Sequence, residues 1–182
     1  GFAVLGSILS NEGATALLIK TNAIGDTLWT KTYGGYNDII KPRAVKQTMD
    51  GGYIIIGSNT GYDNHDFWLI KTTSNGDTLW SKTYGGEEYD MAHSVTETDD
   101  GGFLLFGSTS SYTDSYRNSW LVKTSSNGDS LWSKTYGGSE ADFGYYLIKS
   151  FDSGYLLVGT TASYGNGGTI YGTDIWLIKI NE

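Results

Sequence analysis

Residues 68–86 read WLIKTTSNGDTLWSKTYGG, and residues 120–138 repeat them almost unchanged as WLVKTSSNGDSLWSKTYGG. The pattern also occurs earlier, because Trp29 is followed by TKTYGG at 30–35. The tryptophans Trp29, Trp80 and Trp132 are spaced 51 and 52 residues apart. Chance does not produce such regular spacing, so the chain is built from tandem units.

Each unit predicts four short antiparallel strands, which we name A to D in chain order. In the third unit they span 91–98, 103–108, 120–124 and 130–136. Asn127-Gly128 between strands C and D is typical of a hairpin turn, because both residues accept a positive φ. Alternation in the second D strand places Trp80, Lys82 and Tyr84 on one face. No segment has a sustained helical period.

A four-stranded antiparallel unit repeated at this length is typical of a β-propeller blade. We therefore predict an all-β fold: a β-propeller of four-stranded antiparallel blades of about 51 residues, with roughly three and a half blades in this chain. The Trp, Tyr, Leu and Ile positions are expected to fill the space between blades. The prediction is one domain, 1–182, with blades at approximately 1–35 (partial), 43–86, 91–138 and 144–182 (partial).

The predicted strands number fourteen: B-C-D, then A-B-C-D twice, then A-B-C. The first blade lacks its inner strand and the last lacks its outer strand, so the two ends do not complete one blade. Three arrangements remain open: a segment of a longer propeller, a four-bladed ring with two three-stranded blades, and a larger ring formed with a second copy. We expect the segment, because exposed edges at both ends would otherwise invite aggregation.

The phrases GG-aromatic, WLIK, NGD-LW and KTYGG resemble the β-propeller repeats of secreted and surface-anchored bacterial and archaeal proteins. The likeness covers nearly the whole chain. It implies four-stranded blades and an extracellular or cell-surface location. It implies no one activity and provides no catalytic residues.

The composition excludes several classes of function. A formal net charge of -8 argues against nucleic-acid binding, which requires clustered Lys and Arg. No apolar run approaches the ~20 residues of a membrane span, so no membrane insertion is expected. The chain has no cysteine and only two histidines, which removes thiolate chemistry and limits acid–base catalysis. We therefore expect no enzymatic activity.

The loops fall into two kinds. The A–B and C–D turns are short and nearly the same in every unit, whereas the D–A and B–C loops are longer and differ between units. Propeller topology places the variable loops together at one end, which we name the loop face. Function is free to diverge there, so we expect a ligand-binding surface. Its candidate residues are Tyr62, Asp63, Asp66, Glu88, Tyr89, Asp90, Tyr112, Asp114, Tyr116, Arg117, Tyr164 and Tyr171.

Aromatic rings flanked by carboxylates suit either a protein partner or the rings of a sugar. The expected function is a non-enzymatic extracellular binding or adhesion scaffold, whose partner is a protein or glycan on a cell surface. The alternative is a structural subunit or spacer of a cell-surface assembly. Lectin-like glycan binding, with or without calcium, is the third hypothesis. The loops would have no binding role if their acidic residues served only solubility.

Three further residues occupy equivalent positions near the start of strand A in successive units. Arg43, His93 and Tyr145 are expected at the mouth of the central channel. Segments 63–66 and 87–90 have the acidic character of calcium-binding loops, but neither matches the twelve-residue pattern that ends in Glu. We therefore expect no cofactor, with calcium as the weaker alternative.

Overall fold

The computed structural model consists of antiparallel β-strands in four separate sheets. It describes residues 1–10, 13–35, 39–60, 65–114, 116–152, 154–165 and 172–181. Within these ranges there are 14 strands and no helix, and no sheet closes on itself. The sheets contain three, four, four and three strands, which confirms the strand count predicted from the sequence.

The strands follow one another through the sheets in chain order. Sheet 1 contains β1 (Ala3–Ser10), β2 (Gly13–Thr21) and β3 (Thr27–Tyr33). Sheet 2 contains β4 (Ile40–Gln47), β5 (Tyr53–Thr60), β6 (His65–Thr72) and β7 (Thr78–Tyr84). Sheet 3 contains β8 (Asp90–Glu97), β9 (Phe103–Thr109), β10 (Asn118–Thr124) and β11 (Ser130–Tyr136). Sheet 4 contains β12 (Asp142–Lys149), β13 (Tyr155–Thr161) and β14 (Asp174–Ile180).

The strand boundaries predicted for the third unit agree with the structure to within two residues. The D strand β11 has the predicted bounds, and the A strand β8 is shifted by one residue. The C strand β10 begins at Asn118, two residues before the predicted Trp120, because Asn118 pairs with Thr109 across the sheet. The tight Asn-Gly turns are present, and Gly76 and Gly128 both have a φ of 79°.

Consecutive sheets pack face to face, and the hydrophobic core lies between them. Strand β4 contacts sheet 1, β8 contacts sheet 2 and β12 contacts sheet 3. Between sheets 2 and 3, the Phe67 and Trp120 rings meet edge to face with centroids 4.7 Å apart. Each of the three core clusters combines residues from two neighbouring sheets. Most of the recurring apolar positions therefore fill the space between sheets, as predicted. The leucine of the recurring LW phrase does not, because Leu28, Leu79 and Leu131 are all exposed.

The first strand of sheets 2, 3 and 4 carries a β-bulge at the same place. The extra residues are Arg43, His93 and Tyr145, where the pairing register shifts. A bulge turns the side chain of its extra residue away from the regular alternation of the strand. The backbone bulge is therefore the same in the three sheets, whereas its extra residue is an arginine, a histidine or a tyrosine.

Glycine in the second strand faces each bulge. A Cβ on Gly107 would overlap the Met91 carbonyl oxygen and approach Phe67 Cζ to 2.8 Å. Gly57 and Gly159 face the bulges of their own sheets in the same way. The glycine that follows the apolar run in IIIG, LLFG and LLVG is thus required by the close approach of the first strand.

The lysine of the recurring LIK phrase ties the C strand to the A–B turn. Lys71 Nζ donates hydrogen bonds to both Asp50 carboxylate oxygens, at 3.0 and 2.7 Å. The Thr48 hydroxyl and the Gly52 amide also donate to Asp50, at 2.6 and 2.9 Å. Hydrogen bonds from Lys71 and Thr48 lower the pKa of Asp50 to about 2. Lys123 and Asp100 repeat this arrangement in sheet 3.

The described part of the chain has no helix of the length and apolarity needed to cross a membrane.

Candidate binding surface

The D–A and B–C loops are joined by hydrogen bonds where sheets 2 and 3 meet. The Tyr112 hydroxyl donates to the Gly85 carbonyl oxygen at 2.7 Å. The Ser111 hydroxyl donates to Asp90 Oδ2 at 2.7 Å and accepts a bond from the Glu88 amide at 3.0 Å. Since each bond links residues 21 to 27 positions apart in the chain, the two loops form one ordered surface.

The same bonds recur one unit later. The Tyr164 hydroxyl donates to the Gly137 carbonyl oxygen at 2.9 Å, and the Ser163 hydroxyl donates to Asp142 Oδ2 at 2.7 Å. The amide of Glu140 donates to the Ser163 hydroxyl at 3.0 Å. Because the arrangement repeats, the serine and the buried aspartate serve the loop framework rather than one particular ligand.

A pair of carboxylates lies inside this framework. Asp66 and Asp90 flank Gly85, where a Cβ would overlap Asp66 Oδ1 and lie 2.8 Å from Asp90 Oδ2. Burial and the negative charge of Asp90 raise the pKa of Asp66. In both residues Oδ1 is buried and has no hydrogen-bond partner among the described residues. The next unit has the neutral Asn118 at the position of Asp66, which removes the repulsion there.

Two tyrosines of the loop face are held in place while half exposed. The Tyr112 ring packs against Trp120 with centroids 5.0 Å apart, and its side chain is 49% exposed. Tyr164 packs against Trp176 at 5.4 Å and is 51% exposed. With its hydroxyl bonded and one side against an indole, each ring is fixed before any partner arrives. Rigid aromatic side chains of this kind suit binding, because little conformational entropy remains to be lost.

The bulge residues form a second group beside the loops. The His93 and Tyr145 rings meet edge to face with centroids 5.4 Å apart. Burial and the positive charges of Arg43 and Arg117 lower the pKa of His93 to about 4. His93 is therefore neutral at pH 7. Its neighbours make this group basic and aromatic, in contrast to the acidic loops.

Arg117 connects the loop face to sheet 4. Its Nε donates to the Ser110 hydroxyl at 3.3 Å, and its Cζ lies 5.8 Å from the centroid of the Phe143 ring. Its carbonyl oxygen accepts a bond from the Asp142 amide at 2.8 Å. Burial and the charges of Lys41 and Arg117 also lower the pKa of His65. The charge of Arg117 thus lowers the pKa of both histidines of the chain.

The predicted ligand-binding residues differ in how much of each reaches solvent. Asp90 is fully buried, and Asp66 and Arg117 are half-buried. Three of the predicted residues, Tyr62, Asp63 and Tyr171, lie outside the described residues. The exposed ones are Glu88, Tyr89, Tyr112, Asp114, Tyr116 and Tyr164.

Sequence reasoning missed the two serines of the framework. Ser111 and Ser163 each precede a framework tyrosine, and the Ser-Tyr pairs lie 52 residues apart. The recurrence of Ser-Tyr in loops that otherwise differ could have identified both serines from the sequence. His65 was also missed as an aromatic neighbour of Tyr89, whose ring centroid lies 4.7 Å away.

Metal ligands do not cluster in the described ranges. Within them no group of three or more His, Cys, Asp or Glu side chains is placed to hold a metal ion. Segment 63–66 falls partly outside those ranges. Segment 87–90 has its last carboxylate, Asp90, bonded to the Ser111 hydroxyl and the Gly86 amide.

No family model and no curated protein matches this chain.

Proposed function

We propose that the four sheets are successive blades of a β-propeller segment. Two features support this arrangement: neighbouring sheets pack face to face, and the first strands β4, β8 and β12 lie against one another. The bulge at Arg43, His93 and Tyr145 recurs on each of those strands, which would line the central axis. The repeated core clusters provide the contact between one blade and the next. Crystallography or small-angle scattering of the chain would test the arrangement.

The function best supported is a non-enzymatic extracellular binding or adhesion scaffold that engages a protein or glycan through the loop face. The observation that carries this proposal is the pair of ordered, half-exposed tyrosines, Tyr112 and Tyr164, on loops that differ between units. Tyrosine is common at binding hot spots because it combines a large ring with a polar tip. Exposed Glu88, in the neighbouring D–A loop, and Asp114, in the loop of Tyr112, would select for a partner with basic or hydroxyl groups.

The test is a screen of the chain against arrayed glycans and cell-surface proteins, run with calcium and with a chelator. We expect the chain to bind at least one arrayed glycan or protein, and we expect the affinity for it to fall at least tenfold in the Tyr112→Ala and Tyr116→Ala variants. Tyr146→Ala is the matched control, because Tyr146 is 67% exposed on the outer side of sheet 4 and lies in no loop. A folded chain that binds nothing on either array would contradict the proposal, as would equal losses in all three variants.

A second candidate function is a structural subunit of a surface assembly. It is favoured by apolar side chains that are exposed on sheets 1 and 4, on the sides that no described sheet covers. Sheet 1 exposes Val4 and Ile8, the adjoining Phe2 is also exposed, and sheet 4 exposes Ile175 and Leu177. Apolar side chains of this kind lie buried between the inner sheets. Sedimentation of the chain at several concentrations distinguishes this candidate, which requires self-association that loop-face substitutions leave intact.

A further inference from the structure

Two neighbouring rows of side chains run across the first strands of sheets 2, 3 and 4. The row just before the bulge consists of Lys41, Met91 and Phe143, which occupy the same place in the pairing of their sheets. The second row is the bulge itself, with Arg43, His93 and Tyr145. The Phe143 and Tyr145 rings lie nearly parallel, with an interplanar angle of 14° and centroids 6.4 Å apart, so the two rows form one surface.

Hydrogen bonds between sheets hold the bulges next to one another. The Ala92 amide donates to the Ser58 hydroxyl at 3.3 Å, and Ser58 is the residue that pairs with Lys41. The Gly144 amide donates to the Ser108 hydroxyl at 3.3 Å in the same way. Because each amide lies one residue before a bulge, each bulge is fixed against the preceding sheet.

Arg117 lies across the first row. Its Nη1 donates to Met91 Sδ at 3.4 Å, and its Cζ lies 5.8 Å from the centroid of the Phe143 ring. Its Nε donates to the Ser110 hydroxyl. The other N–H groups of this guanidinium donate to no acceptor among the described residues, so they are available to a ligand.

The cationic side chains of this surface lack carboxylate partners. Within the described ranges Lys41, Arg43 and Arg117 form no ion pair, whereas six lysines of the chain do. Burial and the charges of Arg43 and Arg117 lower the pKa of His93, so both guanidinium groups act on the same space. Like charges placed together repel one another. In a chain whose net charge is -8, such a concentration of unbalanced cations points to an anionic ligand.

A flat aromatic surface lies beside the charges. The Tyr145 side chain is 39% exposed, and its ring is held edge to face against His93 and nearly parallel to Phe143. A ring fixed on two sides presents its free face to the apolar side of a ring-shaped ligand. We name this set of side chains the bulge group: Lys41, Arg43, His93, Arg117, Phe143 and Tyr145.

We propose that the bulge group binds an acidic sugar, a pyranose ring that carries a carboxylate. Arg43 and Arg117 bind the carboxylate, because the parallel N–H donors of a guanidinium group match its two oxygens. The sugar ring packs on the exposed face of Tyr145.

The neighbouring loops limit the size of this ligand. Glu88 and Asp114 are exposed there and repel a long polyanion, so the ligand is a single acidic sugar, free or at the end of a glycan. The site uses neither Tyr112 nor Tyr164, and it therefore does not depend on the function proposed for the loop face.

The test titrates the full chain with glucuronate and follows the imidazole Hε1 signals by NMR, which are simple to assign because the chain has only two histidines. We expect saturable shifts that are larger for His93 than for His65. Glucuronate should bind at least tenfold more tightly than glucose, which has the same ring without the carboxylate.

Variants identify the groups that bind the carboxylate. Arg43 is exposed, so Arg43→Gln should fold normally, and it should weaken glucuronate binding at least tenfold. Arg43→Lys keeps the charge without the parallel donors and should give a smaller loss. Lys82→Gln is the matched control, because it removes one positive charge from an exposed position on β7 and should leave the affinity unchanged.

Four results would overturn the proposal. One is a folded chain that shows no saturable shift with glucuronate. Another is equal affinity for acetate and glucuronate, since the group would then hold an adventitious ion only. Tighter binding of benzoate than of glucuronate would replace the sugar by an aromatic acid. Equal losses in Arg43→Gln and Lys82→Gln would mean that net charge, and not the bulge group, attracts the anion.

Discussion

Single side chains in this protein show their roles most clearly where the units differ. Asp66 and Asn118 occupy the same position in successive sheets, next to Gly85 and Gly137 respectively. Where sheets 2 and 3 meet, the carboxyl group of Asp90 faces that of Asp66, and where sheets 3 and 4 meet, the carboxyl group of Asp142 faces the amide of Asn118. The same position thus carries an ionisable side chain, Asp66, in one sheet and a neutral side chain, Asn118, in the next.

Asp66→Asn should raise the free energy of unfolding at pH 7 by up to about 1 kcal/mol, the size of a partly screened charge pair. Asp66 has a raised pKa in the folded state, because of burial and the charge of Asp90. The wild-type protein therefore loses stability as the pH rises through the folded-state pKa of Asp66. The stability gained by the variant should vanish below about pH 4, where the Asp66 carboxyl is protonated in both the folded and the unfolded state. Urea denaturation at several pH values measures this. Asp114→Asn, at an exposed position, is the control; a similar gain there would refute the explanation.

At the scale of the strand, the bulge explains why glycine recurs in the second strand of each unit. Gly6 is the equivalent residue in sheet 1, where no described strand pairs with the other edge of β1. A Cβ on Gly6 would meet no atom within 4 Å. Among the described residues, this recurring glycine therefore lies against the backbone of a neighbouring strand in sheets 2, 3 and 4 but not in sheet 1.

Gly107→Ala should lower the free energy of unfolding by about 1–3 kcal/mol, because the new methyl overlaps the backbone of β8. Gly6→Ala should change it by less than about 0.5 kcal/mol. Equilibrium urea denaturation of both variants measures the difference. Equal losses would mean that the glycine acts through backbone flexibility and not through the bulge.

Strand positions were predictable from the sequence because alternation and turn residues act within a few neighbours. Ser130–Tyr136 was located to the residue by its alternation and by the preceding Asn-Gly turn. The bulge at His93 was not predictable, since it depends on the pairing of β8 with β9. The bond from Ser111 to Asp90 joins residues 21 positions apart, and only the folded loops bring them together. Asp90 was therefore proposed as a ligand-binding acid although it is buried.

For the molecule as a whole, the contacts between sheets join sheets that are consecutive in the chain. Sheets 2 and 3 are covered on both sides, whereas sheets 1 and 4 are each covered on one side by the described residues. In an array of this kind stability is approximately a sum of unit and nearest-neighbour terms. The end sheets should therefore open more often than the middle ones.

Hydrogen exchange of the chain should show this order directly. We expect the slowest exchange in β5, β6, β9 and β10, and markedly faster exchange in β1 and β14, which have core on one side. Mass spectrometry of peptic fragments measures it. Uniform protection across the four sheets would contradict a nearest-neighbour array and indicate that the whole chain opens in one cooperative step.

The contacts between an outer strand and the next sheet have a consequence for how such a chain changes over generations. Lys31 and Tyr33 of sheet 1 bond Asp77 and Gly76 in the C–D turn of sheet 2, and Lys82 and Tyr84 of sheet 2 bond Asp129 and Gly128 in the C–D turn of sheet 3. A gene that gains or loses one unit by unequal recombination would still encode outer strands that match the turns after them. The number of units can therefore change while the contacts between neighbouring units are kept, and the loops that differ between units give each unit its identity.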